Sequence, residues 1–325
     1  MFSIVMPLWN KRRTVESTIA SVLGQTWRDF ELVVVDDGST DGSAELVSAF
    51  RDPRVRVLTQ ANAGAAVARN AGIEAARHDW IAFLDADDLW LPDHLVELDR
   101  IRSRFPEAGL IGTSFVRRGR GEFHPLPRDP PEVALIDYFA LEAGGAMVLC
   151  SSTAAIPRST YAALGGFGDW ALGPDSEYWA RIALDLPVAA SRRVTAVYRL
   201  GTGGMTDRAL RTRRHGPLRA LGDLNPLMGL LVERYPGIAC ADRRASIDRL
   251  IDRRLKLCVR GAAKAGDIAA LRAVSRFLSR PLRAQERLIL AMARLPAPAA
   301  RALYDLGFAA KALMRGLRRR LPHAG

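Results

Sequence analysis

Ile81-Ala82-Phe83-Leu84-Asp85-Ala86-Asp87-Asp88-Leu89-Trp90 opens as a short apolar run, the pattern of a strand covered on both faces, and closes in clustered acid. Like charges this close repel one another, so Asp85, Asp87 and Asp88 either face water or surround a cation. Pro92 follows and suits the first turn of a helix. The acids are therefore expected at the carboxyl end of a strand, where open α/β sheets bind their ligands. A cluster of oxygens alone suits Mg²⁺ or Mn²⁺. The competing reading is a solvated acidic turn in which Asp87 or Asp88 caps the next helix, and the stretch by itself supports both.

The flanking sequence repeats a strand-then-helix pattern. Phe2 to Pro7 reads as a strand, after which Val15, Ile19, Val22 and Leu23 share one helical face. Phe30 to Asp36 is a second buried strand, ending in Asp36-Asp37-Gly38-Ser39-Thr40-Asp41-Gly42, a turn rich in capping residues. A helix over 44–50, a strand over 55–58, an Ala-rich helix over 63–76 and the strand over 80–85 follow. Such alternation calls for an α/β fold with a mainly parallel sheet covered on both faces. Further on, the spacing predicts a helix over 92–105, a strand over 109–116, a basic and Pro-rich surface loop over 117–131 and a short strand over 154–157. It also predicts helices over 158–164 and 176–186, a strand over 188–199 and a flexible loop over 201–206. After Asp207 the pattern is helical, with segments over 243–263, 267–278, 282–293 and 299–319. The expected division is a catalytic domain over 1–210 and a helical basic region over 211–325.

A chain of 325 residues can bury a sizeable core, and its net charge of +12 implies affinity for anions. Arg-rich runs dominate after residue 207, whereas the acids that look functional precede residue 180. Cys150, Cys240 and Cys258 lack metal-like spacing and read as reduced thiols, mostly core filler. The five histidines show no pair at metal-ligand spacing; His215 is the one nearest the expected site. Residues 1–10 are too short an apolar run for a secretion signal, and no stretch is apolar for long enough to cross a bilayer, so a cytoplasmic protein is expected.

The turns at Asp36-Asp37 and at Asp85 to Asp88 would converge at one edge of a parallel sheet. Neither a Gly-x-Gly-x-x-Gly after the first strand nor a P-loop motif is present, so a diphosphate would be held through a metal and not by a cradle of backbone amides. At this point a resemblance enters. Val5-Met6-Pro7-Leu8-Trp9-Asn10, the run from Glu31 to Gly42, Ala68-Arg69-Asn70-Ala71-Gly72 and the run from Phe83 to Asp88 occur in the order found in family 2 glycosyltransferases of the GT-A fold. The likeness covers roughly the first two hundred residues.

The resemblance implies a nucleotide-sugar site at Pro7, Trp9, Asp36, Asp37, Arg69, Asp85 and Asp87. Trp9 would pack on the nucleotide base, usually uracil, and Asp37 with Asp36 beside it would bind the base imide. Asp85, Asp87 and Asp88 would meet ribose and metal, with Asp87 and Asp88 the ligands of Mn²⁺ or Mg²⁺, while Arg69 and Asn70 line the donor pocket. The family's base precedes a helix containing Trp, and Pro174-Asp175-Ser176-Glu177-Tyr178-Trp179 matches with Pro174 where a Glu is usual. Asp175 is the expected base and Glu177 the runner-up. Blander readings stand beside these: Trp9 as core, Arg69 on a solvated helix face, Asp175 as a helix cap.

The implied reaction is a single inverting displacement that moves a sugar from a nucleoside-diphosphate sugar, with a UDP-sugar expected, to a glycan or lipid-linked acceptor. The Gln-x-x-Arg-Trp signature of processive members is absent. A nucleotidyltransferase acting on sugar phosphates and a noncatalytic sugar-nucleotide-binding module are the alternatives. No nucleic-acid partner is expected. Leu303, Leu306, Ala310, Leu313 and Leu317 form a stripe beside Arg315, Arg318, Arg319 and Arg320, a pattern that suits peripheral docking on the anionic inner face of a membrane or packing on the catalytic domain.

Overall fold

A computed structural model describes residues 1–117, 121–123, 132–145, 148–170, 173–200, 202 and 226–265. The expected helices beyond residue 265, His215, the loop over 203–206 and most of the basic stretch over 117–131 lie outside the described residues. The described chain divides into two compact units, one of residues 1–202 with 237–247 and the other of 226–236 with 248–265.

In the first unit, β1 (Phe2–Leu8), β2 (Phe30–Asp36), β3 (Val55–Thr59) and β4 (Trp80–Phe83) pair in parallel in the order β3-β2-β1-β4. Their connections are α1 (Val15–Leu23), α2 (Ser43–Ser48) and α3 (Ala65–Ala75). Every residue of β2 is buried, as expected of a strand covered on both faces. Alternate residues serve opposite layers. Ile4, Met6 and Leu8 join Val15, Ile19 and Val22 of α1, whereas Val33 and Val35 pack with Ala68 of α3. Gly72 lets α3 lie close, because a Cβ there would come within 2.4 Å of Val5 Cγ1.

Beyond β4 the sheet is mixed, because β9 enters it in the opposite direction. β5 (Leu89–Trp90), β6 (Leu110–Arg117), β7 (Gly121–Phe123), β8 (Val133–Leu135), β9 (Ala154–Pro157) and β10 (Val188–Tyr198) complete it. β9 lies antiparallel between β4 and β6, and β10 runs parallel to β6. Two antiparallel partners in succession restore the direction, so β6 and β10 end at the same edge as β1 to β4. Here α4 (His94–Arg104) covers β6 and β10 from the face that α1 shares. The remaining helices are α5 (Tyr138–Gly144), α6 (Arg158–Leu164) and α7 (Pro174–Asp185).

Several boundaries differ from expectation for local reasons. Pro92 lies before α4 and not in its first turn, because Leu89 and Trp90 pair with Val197 and Ala196 and carry the chain across as a strand. Part of the expected surface loop, Gly121–Phe123, pairs with β6. α7 begins at Pro174, a residue suited to a first helical position, so Asp175 lies within the first turn and does not cap it.

In the second unit, α8 (Pro226–Arg234) buries Leu227, Met228 and Leu231 at helical spacing. α9 (Ala241–Ala265) starts in the first unit, where the Ser246 hydroxyl donates to Asp137 Oδ2 over 2.6 Å, and continues into the second. Among the described residues, no helix is long and apolar enough to cross a membrane.

Candidate active site

The strand ends at the carboxyl edge deliver the acidic segment. Its backbone is held by α1: the Thr14 hydroxyl donates to the Ala86 carbonyl at 3.0 Å and the Thr18 hydroxyl to the Asp88 carbonyl at 2.8 Å. Oxygens of Asp85, Asp87 and Asp88 thereby lie within 4.8 Å of one another. Each carboxylate has a different partner. Arg69 Nη2 donates to Asp85 Oδ1 at 2.5 Å, and Lys11 Nζ donates to Asp87 Oδ2 at 2.5 Å. Asp88, the most buried of the three, is held by two neutral donors: the Ser152 hydroxyl at 2.5 Å and the Arg199 amide at 2.9 Å. Burial, with the charges of Asp85 and Asp87 added, raises the pKa of Asp88 well above its ordinary value. A cation among these oxygens would relieve that repulsion.

Three carboxylates form the oxygen-only donor set that Mg²⁺ and Mn²⁺ take, and an ammonium already rests on one of them. The residues therefore fit a divalent ion. Thr202 closes the same spot: its hydroxyl donates to Asp87 Oδ2 at 2.6 Å, and its carbonyl accepts from Lys11 at 3.2 Å. The Arg199 side chain reaches the Asp87 carbonyl and the hydroxyls of Ser17 and Thr18.

Arg69 is not on a solvated face. It is buried, because α3 turns that side toward β4 and the 165–168 segment, where its guanidinium also sits 5.4 Å from the centre of the Phe167 ring. Its pKa is raised: burial opposes the charge, but Asp85 first, then Asp175 and Asp87, outweigh it. Asp175 is half-buried in the first turn of α7 and accepts the Ser176 amide at 2.8 Å. Burial raises its pKa above the ordinary carboxylate value, against the pull of Arg69. Glu177 has both oxygens bound by Arg181, at 2.9 and 3.1 Å. Arg181 also donates to the carbonyls of Leu164 and Gly166, and Asn70 exchanges two hydrogen bonds of 2.9 Å with the Phe167 backbone. The loop beside Asp175 is thus pinned from two sides.

Asp37 is turned into the loop after β3. Its Oδ1 accepts from Gln60 Nε2 and the Ala63 amide, and its Oδ2 from the Gly64 amide, each at 2.8 Å. Asp36 is buried and accepts the Ser39 amide. Pro7 lies within β1 opposite Val35, and Trp9 follows the strand, half-buried. Asn10 then takes the left-handed conformation, φ 51°, stabilised as its side chain accepts the Thr40 amide at 2.8 Å. That bend presents Lys11 to Asp87. Asp85, Asp87, Asp88, Arg69 and Asp175 are therefore gathered, whereas Asp36 and Asp37 serve the adjoining turn. Lys11, Ser152, Arg199 and Thr202 were not expected. Lys11 had a signal, its place beside Asn10 at a strand end; the others are brought in by β9 and β10 from far along the chain. Of the thiols, Cys150 is buried and Cys240 exposed, and the side chain of Cys258 lies outside the described residues.

Residues 3–164 match the family described as "Glycosyl transferase family 2". The chain belongs to that family. It is 46% identical over 88 residues to "Uncharacterized glycosyltransferase YibD" of Escherichia coli (strain K12), 26% of each chain. It is 44% identical over 96 residues to "UDP-Glc:alpha-D-GlcNAc-diphosphoundecaprenol beta-1,3-glucosyltransferase WfgD" of Escherichia coli, 29% of this chain and 38% of the relative. The matched stretch spans between about a quarter and two fifths of these relatives. Among solved structures, S. aureus TarS 1-349 in complex with UDP-GlcNAc is similar at a TM-score of 0.70 and 16% identity, over 94% of this chain and 90% of that one. This likeness is one of fold, the GT-A glycosyltransferase fold.

Proposed function

We propose that this glycosyl transferase moves a sugar from a nucleoside-diphosphate sugar to a hydroxyl of a glycan or lipid-linked acceptor, with inversion at the anomeric carbon. The observation that carries the reading is the cluster of Asp85, Asp87 and Asp88 at the carboxyl edge of the sheet, with Arg69 on Asp85 and Asp175 near enough to interact electrostatically with both. Such a site can do two things at once: hold a cation with a diphosphate on it, and accept a proton. The UDP-Glc in the name of WfgD and the UDP-GlcNAc bound by TarS support a UDP-sugar donor, and the diphosphoundecaprenol in the WfgD name supports a lipid-linked acceptor in polysaccharide synthesis.

In this reading Asp87 and Asp88 would hold Mn²⁺ or Mg²⁺, whose charge would offset that of the departing diphosphate. Pro7, Trp9, Asp36 and Asp37 receive the base, and Asp85 the ribose. Arg69 keeps Asp85 in place from below and lends positive potential to the donor side. Asp175 takes the proton from the acceptor hydroxyl as its oxygen attacks the anomeric carbon and the bond to the diphosphate breaks. Burial raises its pKa, which makes it a better proton acceptor than an exposed Asp whenever it is ionised. Glu177 is the weaker candidate, since Arg181 occupies both its oxygens.

Incubation with a panel of sugar nucleotides tests the reading. Slow release of nucleoside diphosphate, accelerated by acceptor, is the outcome it requires. Release of pyrophosphate would favour a nucleotidyltransferase, and binding without release a noncatalytic module.

A further inference from the structure

Ser152 is buried in a short 3-10 turn, Ser151–Thr153, that leads into β9. The turn is clamped on itself, since the Thr153 hydroxyl accepts the Cys150 amide at 3.2 Å and donates to the Cys150 carbonyl at 3.0 Å. β9 runs antiparallel to β4 with Trp80 opposite Pro157, Ile81 opposite Ile156 and Ala82 opposite Ala155. Continuing that register beyond the strand sets Ser152 opposite Asp85. The Ser152 hydroxyl accepts the Asp85 amide at 3.2 Å and lies 2.5 Å from Asp88 Oδ2. Because an amide can only donate, the hydroxyl's one hydrogen is free to go to Asp88. The serine itself is anchored: its carbonyl accepts Trp90 Nε1 at 2.7 Å, and the Trp90 ring stacks on His94 of α4 at 4.1 Å.

We infer that Ser152 is a positioning residue of the acidic segment, one hydroxyl that fixes the backbone at Asp85, from which the segment runs on to Asp87, and the side chain of Asp88 together, so that the Asp87 and Asp88 oxygens stay within reach of a single cation. The inference rests on the metal assignment made above. A buried carboxylate held at Oδ1 alone, by the Arg199 amide, could swing Oδ2 away from Asp85 and Asp87, which spreads the ligand oxygens apart. The Ser152 bond opposes that swing, and partners that orient ligands in this way affect metal affinity about 10- to 100-fold.

The test is titration of the metal-free full-length protein with Mn²⁺ alone, followed by electron paramagnetic resonance, together with melting temperatures with and without Mn²⁺. Ser152→Ala is expected to weaken Mn²⁺ binding about 10-fold or more. It should melt near the wild type without metal and lose most of the rise that Mn²⁺ produces. Ser151→Ala, which removes a neighbouring buried hydroxyl from the same turn, is expected to bind Mn²⁺ as the wild type does. If Ser152→Ala does not fold, Ser152→Cys, similar in shape with a weaker donor, should bind Mn²⁺ less tightly than wild type. Wild-type affinity in Ser152→Ala, or an equal loss in Ser151→Ala, overturns the inference while leaving the metal assignment in place. A wild-type protein that takes up no Mn²⁺ overturns both.

Discussion

Arg69 reaches from the buried side of α3 to Asp85 at the end of β4, Nη2 to Oδ1 at 2.5 Å, and so ties the helix to the acidic segment. Its side chain is 5% exposed and that of Asp85 29%, so the pair is desolvated mainly at the arginine. Removing one partner of a buried pair costs more than the pair contributes, since the other is left uncompensated. Arg69→Ala is therefore expected to destabilise the fold by about 2–3 kcal/mol, below the usual range for a fully buried pair because Asp85 still reaches water. Urea unfolding at neutral pH measures it, and a change under about 0.5 kcal/mol contradicts the arrangement.

Asp175 separates chemistry from binding. Asp175→Asn keeps the size and most of the hydrogen bonding but loses basicity, so donor affinity should hold while turnover falls on the order of 10²- to 10⁴-fold. The acidic limb of the wild-type pH profile should lie above the ordinary Asp value of 3.8, since burial raises this carboxyl and activity needs it ionised. Activity therefore falls as pH drops through that raised value. Wild-type turnover in Asp175→Asn at saturating donor and metal would move the base to Glu177.

The Asp37 carboxylate accepts three hydrogen bonds from residues 60–64, two of them backbone amides. An asparagine there must turn its NH₂ toward at least one of those donors, leaving an N–H unpaired at a cost of about 1–3 kcal/mol. Asp37→Asn should lower the unfolding free energy by that much and open the 60–64 loop to proteolysis. Unaltered stability with weakened donor binding would mean that the loop finds other partners.

His94 makes low pH costly. Its ring is fully buried against Trp90 and Thr195, and burial depresses its pKa from 6.5 to about 3. A depressed histidine leaves the folded protein unprotonated while the unfolded chain takes up a proton, so the loss begins as pH falls below 6.5 and grows toward 3. At pH 4.5 the penalty is on the order of 2–3 kcal/mol. His94→Gln should show a shallower loss between pH 6.5 and 4.5 in denaturant titrations; parallel slopes would exclude His94 as the cause.

The parallel half of the sheet was legible because its signals are local. Alternating apolar runs and short helical repeats announce β1 to β4, and the acids at their ends announce the edge at which the carboxylates gather. The second half was not, since β9 joins β4 in reverse and nothing near Ala154 says which strand it will meet. For the same reason Ser152 and Arg199 could not be foreseen at the acids: each arrives by strand register from more than sixty residues away in sequence. Arg69 was marked by the resemblance alone, as an arginine on an Ala-rich helix looks solvated until its carboxylate partner is known.

In the proposed reaction, sugar transfer depends on a divalent cation held by the acids that follow β4. Turnover of a donor sugar nucleotide by the full-length protein, measured as nucleoside diphosphate released, stripped with excess chelator and then resupplied with Mn²⁺, tests it most directly. Activity should vanish with chelator and return with metal, and Asp88→Asn should need far more Mn²⁺ for the same rate. Undiminished turnover in excess chelator would contradict the claim.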